Sequence, residues 1–215
     1  MTSYKIKQTS AGHSCLLVLF VLTMTSPTSV SSGSQLPRLY LIAKSLFFQI
    51  KEATCQLRSN ITRTRNVHEV ILRSEIKPIS GIEEIVEGVG FFNQEQIDEI
   101  PRLLLKHLEY LNVYQELLRL FRQDEEDGIT DDAIYTHERQ VERIRSKISL
   151  LKTKFHLMIQ ILGHTFDPAS VPQVTFDTCD EDITICVSKR GVYILQEFEY
   201  YIRLARENLA DLLAN

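Results

Sequence analysis

Apolar residues recur along this chain in steps of three and four, and the longest such run sets the architecture. Between residues 130 and 162, Ile134, Val141, Ile144, Ile148, Leu151, Phe155, Met158 and Leu162 line up on one face of a helix. A helix of about 33 residues is roughly 50 Å long at ~1.5 Å per residue, so its stripe needs neighbours of similar length. The pattern supplies three. Over 37–58 the inward residues are Leu39, Ile42, Ala43, Leu46, Ile50, Ala53 and Leu57, with Pro37 suited to a first helical position. Over 94–123 they are Leu104, Leu108, Leu111, Leu118 and Phe121; Asn93 with Gln96 offers a capping box, and Pro101 either starts the regular helix or kinks it. Over 188–213 they are Val192, Leu195, Phe198, Ile202, Ala205, Leu209 and Leu212. The β-branched run Ile183 to Val187 and the helix cost of Gly191, about 1 kcal/mol, predict an extended or frayed start to this last helix.

Loop lengths then constrain the topology. The acidic turn after Gln123 leaves about seven residues before the third helix, a reach of at most ~25 Å, so the second and third helices form an antiparallel hairpin. The first and third connections, about 35 and 20 residues, are long enough to run the length of a bundle. The expected fold is all-α: a long-chain four-helix bundle, up-up-down-down, with two long crossover loops. An up-down-up-down bundle with decorated loops is the alternative. Leu150 and Leu157 fall off the main stripe of the third helix, either covered by a crossover or presented to a partner. Phe91 and Phe92 either plug one end of the core or present one ring as an interface anchor.

The N-terminus adds an address. Lys5 and Lys7 precede the apolar run Cys15 to Met24, which is followed by Pro27, Ser29, Ser31 and Gly33. Such a run is too short for a bilayer core needing roughly 20 residues and has the layout of a signal peptide. The expected division is a signal peptide over 1–31 and an exported helical domain over 32–215. A net charge of -4 argues against a general nucleic-acid binder, which needs a concentrated basic surface, and Lys147, Lys152 and Lys154 read as a solvated edge. Asn60-Ile61-Thr62 is a glycosylation sequon in the polar stretch after the first helix.

Removing the signal peptide leaves Cys55, Cys179 and Cys186. The first and fourth helices are antiparallel in either topology, which brings the end of one near the start of the other. A disulfide from Cys55 to Cys179 or to Cys186 is therefore expected; a Cys179 to Cys186 bridge is the alternative and leaves Cys55 free.

Motifs for chemistry are missing: no HExxH, GxSxG, phosphate-binding glycine loop or CxxC is present. No histidine follows a glutamate by three residues, and His68, His107, His137, His156 and His164 are scattered without ligand spacing. The acidic run Asp124 to Asp127 lacks the ligand alternation of a calcium loop. No enzyme activity, metal or cofactor is expected.

The order of these elements, with Gly191 to Leu209 (GVYILQEFEYYIRLARENL) and above all Leu195-Gln196-Glu197-Phe198, resembles the long-chain cytokines of the interleukin-6 family. The likeness is to the branch holding ciliary neurotrophic factor, leukemia inhibitory factor, oncostatin M and the cardiotrophin-like cytokines. It implies a secreted cytokine that joins cell-surface receptor chains, among them a shared signal-transducing glycoprotein subunit. Two receptors held by one ligand gain effective concentration for each other. In that family the exposed faces of the first and third helices bind the shared subunit, which points here to Lys44, Lys51, Arg143 and Leu150. A second receptor meets the first crossover and the start of the fourth helix through a Phe-x-x-Lys pair. This chain departs from that pair: Val187 and Arg190 occupy one register, Ile185 and Ser188 the next. The expected partners are receptors rather than nucleic acid, a membrane interior or a second copy of the chain. A secreted helical carrier of an apolar ligand is the other reading.

Overall fold

The computed structural model describes residues 35–82, 100–128, 133–179 and 182–214. Four long helices dominate it: α1 (Gln35–Arg65), α2 (Ile100–Gly128), α3 (Ala133–Ile161) and α4 (Ile183–Ala214). The connections contain two short 3-10 turns and two strands of two residues each, β1 (Ile79–Ser80) and β2 (Thr175–Phe176). The fold is an all-α helical bundle.

Most of the expected inward residues are buried; Leu39, Ile42 and Leu162 are half-buried against the core, and the side chains of Ile134 and Leu212 lie outside the described residues. Val141, Ile144, Ile148, Leu151, Phe155 and Met158 of α3 are all fully buried. Helix ends depart from expectation where side chains act on the backbone. α1 continues past Arg58 because Ile61 and Thr62 keep inward positions, and the Thr62 and Thr64 hydroxyls donate to the carbonyls of Ser59 (3.0 Å) and Asn60 (2.8 Å). Arg63 and Arg65 suit the negative end of the helix dipole, and Asn66, at φ 52°, turns left-handed and stops it. α4 begins at Ile183 rather than near 188. The Asp182 carboxylate accepts from the Ile185 N–H at 3.2 Å and its carbonyl from the Cys186 N–H at 2.9 Å, so a good cap and tertiary packing override the β-branched run.

α1 packs against α3 and α4, and α2 packs against the same two helices. Between α1 and α4, Phe47 meets Tyr201 (ring centroids 6.1 Å) and Arg58 meets Glu199 (2.8 Å). Between α1 and α3, Phe47 meets Phe155 at 6.1 Å, Gln49 accepts from Lys147 at 2.6 Å, and Thr64 lies 3.5 Å from His137. α2 meets α3 through His107 with Phe155 (5.5 Å), Gln115 with Ser149 (2.6 Å) and Arg122 with Glu138 (2.6 Å). It meets α4 through His107 with Tyr201 (5.9 Å), Tyr114 with Phe198 (4.5 Å) and Asp124 with Arg190. In all four pairings the numbering falls along one helix as it rises along the other.

Aromatic rings fill the space between the helices. Phe47, His107, Tyr110, Tyr114, Phe155, Phe198 and Tyr201 are buried, in edge or stacked contacts with centroids 4.5–6.2 Å apart. Ring quadrupoles favour these offset geometries over face-to-face sandwiches. Burial holds His107 neutral, lowering its pKa to about 3, and its Nδ1 lies 3.1 Å from the Tyr201 hydroxyl.

The two long connections meet on the outside. β1 pairs antiparallel with β2, Ile79 opposite Phe176 and Ser80 opposite Thr175, and the Asp177 N–H donates to the Pro78 carbonyl at 3.3 Å. Gly81 closes this crossing at φ +80°, where any Cβ would collide with the Gln173 carbonyl. The first connection is also pinned to α4: Ile71 is buried, and its N–H donates to the Gln196 side-chain oxygen at 3.2 Å.

Candidate functional site

Described parts of the first and third connections meet the start of α4. Cys186, in the first turns of α4, is disulfide-bonded to Cys179 of the third connection, with Cα atoms 6.1 Å apart. One turn later Arg190 points inward and is only 1 % exposed. Its guanidinium pairs with the Asp124 carboxylate of α2, donates to the Asp177 carbonyl at 2.6 Å, and lies 4.6 Å from the centre of the Phe176 ring. An arginine can satisfy this many partners because its donors form a fixed planar fork. Burial pushes the Asp124 carboxyl pKa up, and Arg190 pulls part of that shift back.

Against this scaffold a cleft of about 380 Å³ opens between the first connection and α4, lined in part by Glu75, Ile76, Pro78, Ile185, Cys186 and Lys189. Ile183 and Ile185 are exposed at 45 % and 44 %, and Val70 and Leu72 of the first connection at 61 % each. Lys189 and Glu75 face each other across the cleft at 3.9 Å. An apolar floor with a charged rim and no reactive group is the anatomy of a docking surface. Among the described residues no group of three or more His, Cys, Asp or Glu is placed to hold a metal ion, and no helix is long and apolar enough to cross a membrane.

Several expected site residues lie elsewhere than the sequence suggested. Val187 is buried in the core and Arg190 is a strut between elements, so neither offers a surface anchor. In the other register Ile185 is exposed, but Ser188 is buried and donates to the Thr184 carbonyl at 2.6 Å. The residue that shares the cleft with Ile185 is Lys189, four positions on.

The expected Cys55 bridge is also corrected. Because α1 runs on to Arg65, Cys55 sits within the helix, beside Glu199, and is a free thiol. Glu199 is 13 residues beyond Cys186 along α4, roughly 20 Å at ~1.5 Å per residue, and a disulfide requires Cα atoms within about 7 Å. Burial, then the neighbouring Glu199, pushes the Cys55 thiol pKa up. Glu199 is itself held by Arg58 through two bonds of 2.8 and 3.0 Å.

On the helix faces, Arg143 and Leu150 of α3 are exposed, Leu150 by 47 %, and so is Leu157. Lys44 and Lys51 do not join them. Gln49 marks the α3 side of α1, whereas Lys51 lies one turn before Cys55 on the α4 side, with Lys44 a further seven residues back on the same face. Asn60 lies within α1 and is half-buried, its side-chain oxygen accepting from Arg63 at 3.1 Å. Phe91 and Phe92 lie outside the described residues.

One buried polar group went unnoticed in the sequence. His137 Nδ1 is 2.8 Å from Glu125 Oε1 and its Nε2 is 3.5 Å from the Thr64 hydroxyl, linking three helices. The order of groups imitates a hydrolytic triad, but the Thr64 hydroxyl donates to the Asn60 carbonyl at 2.8 Å, so its proton is not aimed at the imidazole. The arrangement is a fastening. Its pieces are too far apart in sequence for spacing to reveal it.

No family model, no curated protein and no solved structure matches the chain.

Proposed function

We propose that the chain is an exported signalling protein of the interleukin-6 type, an up-up-down-down bundle that joins cell-surface receptor chains. The observation that carries this reading is the set of helix pairings. Residue numbers run oppositely wherever α1 or α2 meets α3 or α4, the relation expected when the first two helices point one way and the last two the other. Long first and third connections, over 66–99 and 162–182, fit the crossovers that such an arrangement needs.

Two surfaces suit two receptors. One is the cleft at the start of α4, where Ile185 and Lys189 take the place of the buried Val187 and Arg190. The other is the α3 face around Arg143 and Leu150. Two separate faces on one bundle suit two partners, and tethering raises the effective concentration of each for the other. The aromatic filling of the interior argues against a carrier, which needs that space for its ligand.

The test is to add purified secreted protein to cells bearing the shared signal-transducing subunit with each co-receptor of the family, and to measure phosphorylation of the signal transducers and activators of transcription. A response that Ile185→Asp or Leu150→Arg abolishes supports the reading. Silence across every receptor combination overturns it.

A further inference from the structure

Charge is distributed unevenly over the bundle. α1 and α3 together carry half of the chain's 24 Lys and Arg but only three of its 28 Asp and Glu, namely Glu52, Glu138 and Glu142. Two of those three are used up on the α2 side: Glu138 pairs with Arg122 at 2.6 Å, and Glu142 with Arg145 at 3.0 Å. Some basic groups elsewhere are neutralised in the same way, Arg119 by Glu116 and Lys106 by Glu109, whereas Lys44, Lys51 and Arg203 on the α4 side make no ion pair with a described residue.

The side of α3 next to α1 holds such cations in a row. Lys147 marks it by reaching across to the neutral side-chain oxygen of Gln49 at 2.6 Å. Arg139, Arg143 and Lys154 share that side by helical spacing, and none of them makes an ion pair with a described residue. Steps of four, four and seven residues place these four cations along roughly 22 Å of a straight rod, with ~6 Å between the first three. Arg63 adds another on the same side of α1, 14 residues beyond Gln49, where its one bond is to the neutral Asn60. Glu52, three residues beyond Gln49 and in line with Arg63 by helical spacing, is the one carboxylate of α1 on this side. A line of four cations on α3 facing a single carboxylate is still complementary to a linear polyanion.

We propose that the α1/α3 face, which shares Arg143 and Leu150 with the receptor surface on α3, is also a docking surface for a sulfated polysaccharide chain. The inference rests on the reading of the protein as exported, since that is where such chains are met. A single-stranded nucleic acid fits less well, because Leu150 and Leu157, not aromatic rings, interleave the cations and offer no stacking platform. An anionic membrane fits less well too. The main apolar stripe of α3 is spent on the core, and Leu150 and Leu157 alone leave little apolar surface to sink into lipid. The contact is electrostatic, and its affinity falls steeply with salt.

The experiment measures binding of the secreted protein to size-defined heparin oligosaccharides at low and at physiological ionic strength. Arg139→Ser, Arg143→Ser and Lys154→Ser are combined in one variant. A control with the same charge change on the α4 side combines Lys44→Ser, Lys51→Ser and Arg203→Ser; both must keep the helical signal and melting temperature of the parent. Salt-sensitive binding, weakened about tenfold or more in the first variant and no more than about twofold in the control, is expected. Absence of binding at physiological salt, equal loss in both variants, or equally tight binding to duplex DNA or phosphatidylserine vesicles overturns the proposal. Receptor activation is measured alongside, so a protein that signals but ignores heparin overturns this inference alone.

Discussion

Gly191 of α4 lies flush against the ring of Phe121 in α2: a Cβ built on it would stand 2.6 Å from Phe121 Cζ. Alanine is the better helix former by about 1 kcal/mol, so at an open position Gly191→Ala would stabilise. Here the ring is fully buried and cannot swing away, and overpacking of this kind costs about 1–3 kcal/mol. Gly191→Ala is expected to lower the urea midpoint, and Phe121→Leu in the same chain to recover part of the loss relative to additivity. A higher midpoint for Gly191→Ala alone would show that the two helices do not approach this closely.

Arg190 and Asp124 tie α4 to the end of α2. Removing one member of a buried pair leaves the other desolvated, at a cost of about 3 kcal/mol or more, whereas an exposed pair is worth under about 1. Asp124→Ala is therefore expected to destabilise the fold far more than Glu116→Ala, which breaks an exposed pair with Arg119. Chemical denaturation of both variants decides the matter; comparable losses would demote Arg190 to a surface residue.

The neutral His107 makes stability depend on pH. An unfolded imidazole takes up a proton near 6.5, but in the folded protein burial delays uptake until about 3. Between those values the unfolded state holds one more proton than the folded state. The contribution is whole above pH 6.5 and declines as the pH falls toward 3, by about 1.4 kcal/mol per pH unit. His107→Gln keeps a polar partner for Tyr201 without a titrating group. Its unfolding free energy, followed against pH, is expected to fall less steeply than the parent's by about one proton; parallel slopes would mean that His107 is protonated within the fold.

Cys55 is the free thiol among the described residues. With the protein folded, alkylation is expected to be slow, because burial and Glu199 both disfavour the thiolate. After denaturation without reductant a single site is expected to react among the described cysteines. Peptide mapping should place the label on Cys55 and recover Cys179 linked to Cys186, and Cys55→Ala should leave that link intact. A Cys55-containing disulfide peptide would refute the pairing.

Stripes such as Val141 to Phe155 were legible because burial repeats with the turn of a helix, and a hydropathy pattern records that repeat directly. Helix ends were less so. Asp182 and Asn66 act through single bonds or one backbone angle, which weigh little against the β-branched run and the polar residues beside them. Arg190 shows the deeper limit. Its charge argues for the surface, and only the packing of α2 against α4 brings in Asp124, 66 residues away in sequence. The misplacement of Cys55 followed from the same cause, since an end seven residues too early moved the thiol from mid-helix to a corner. The α1/α3 charge imbalance was present in the sequence but hidden by the modest net charge, because cations can be sorted by face only when each helix's neighbours are known.

The Cys179 to Cys186 link spans the junction at which the third connection enters α4. A protease cutting anywhere between those two residues would open the backbone without releasing a fragment, since the last helix would remain covalently attached to the rest. A nicked molecule of this kind would run as two pieces only after reduction. Survival of its activity through such a cut would depend on a thiol reductant in the medium rather than on the protease itself.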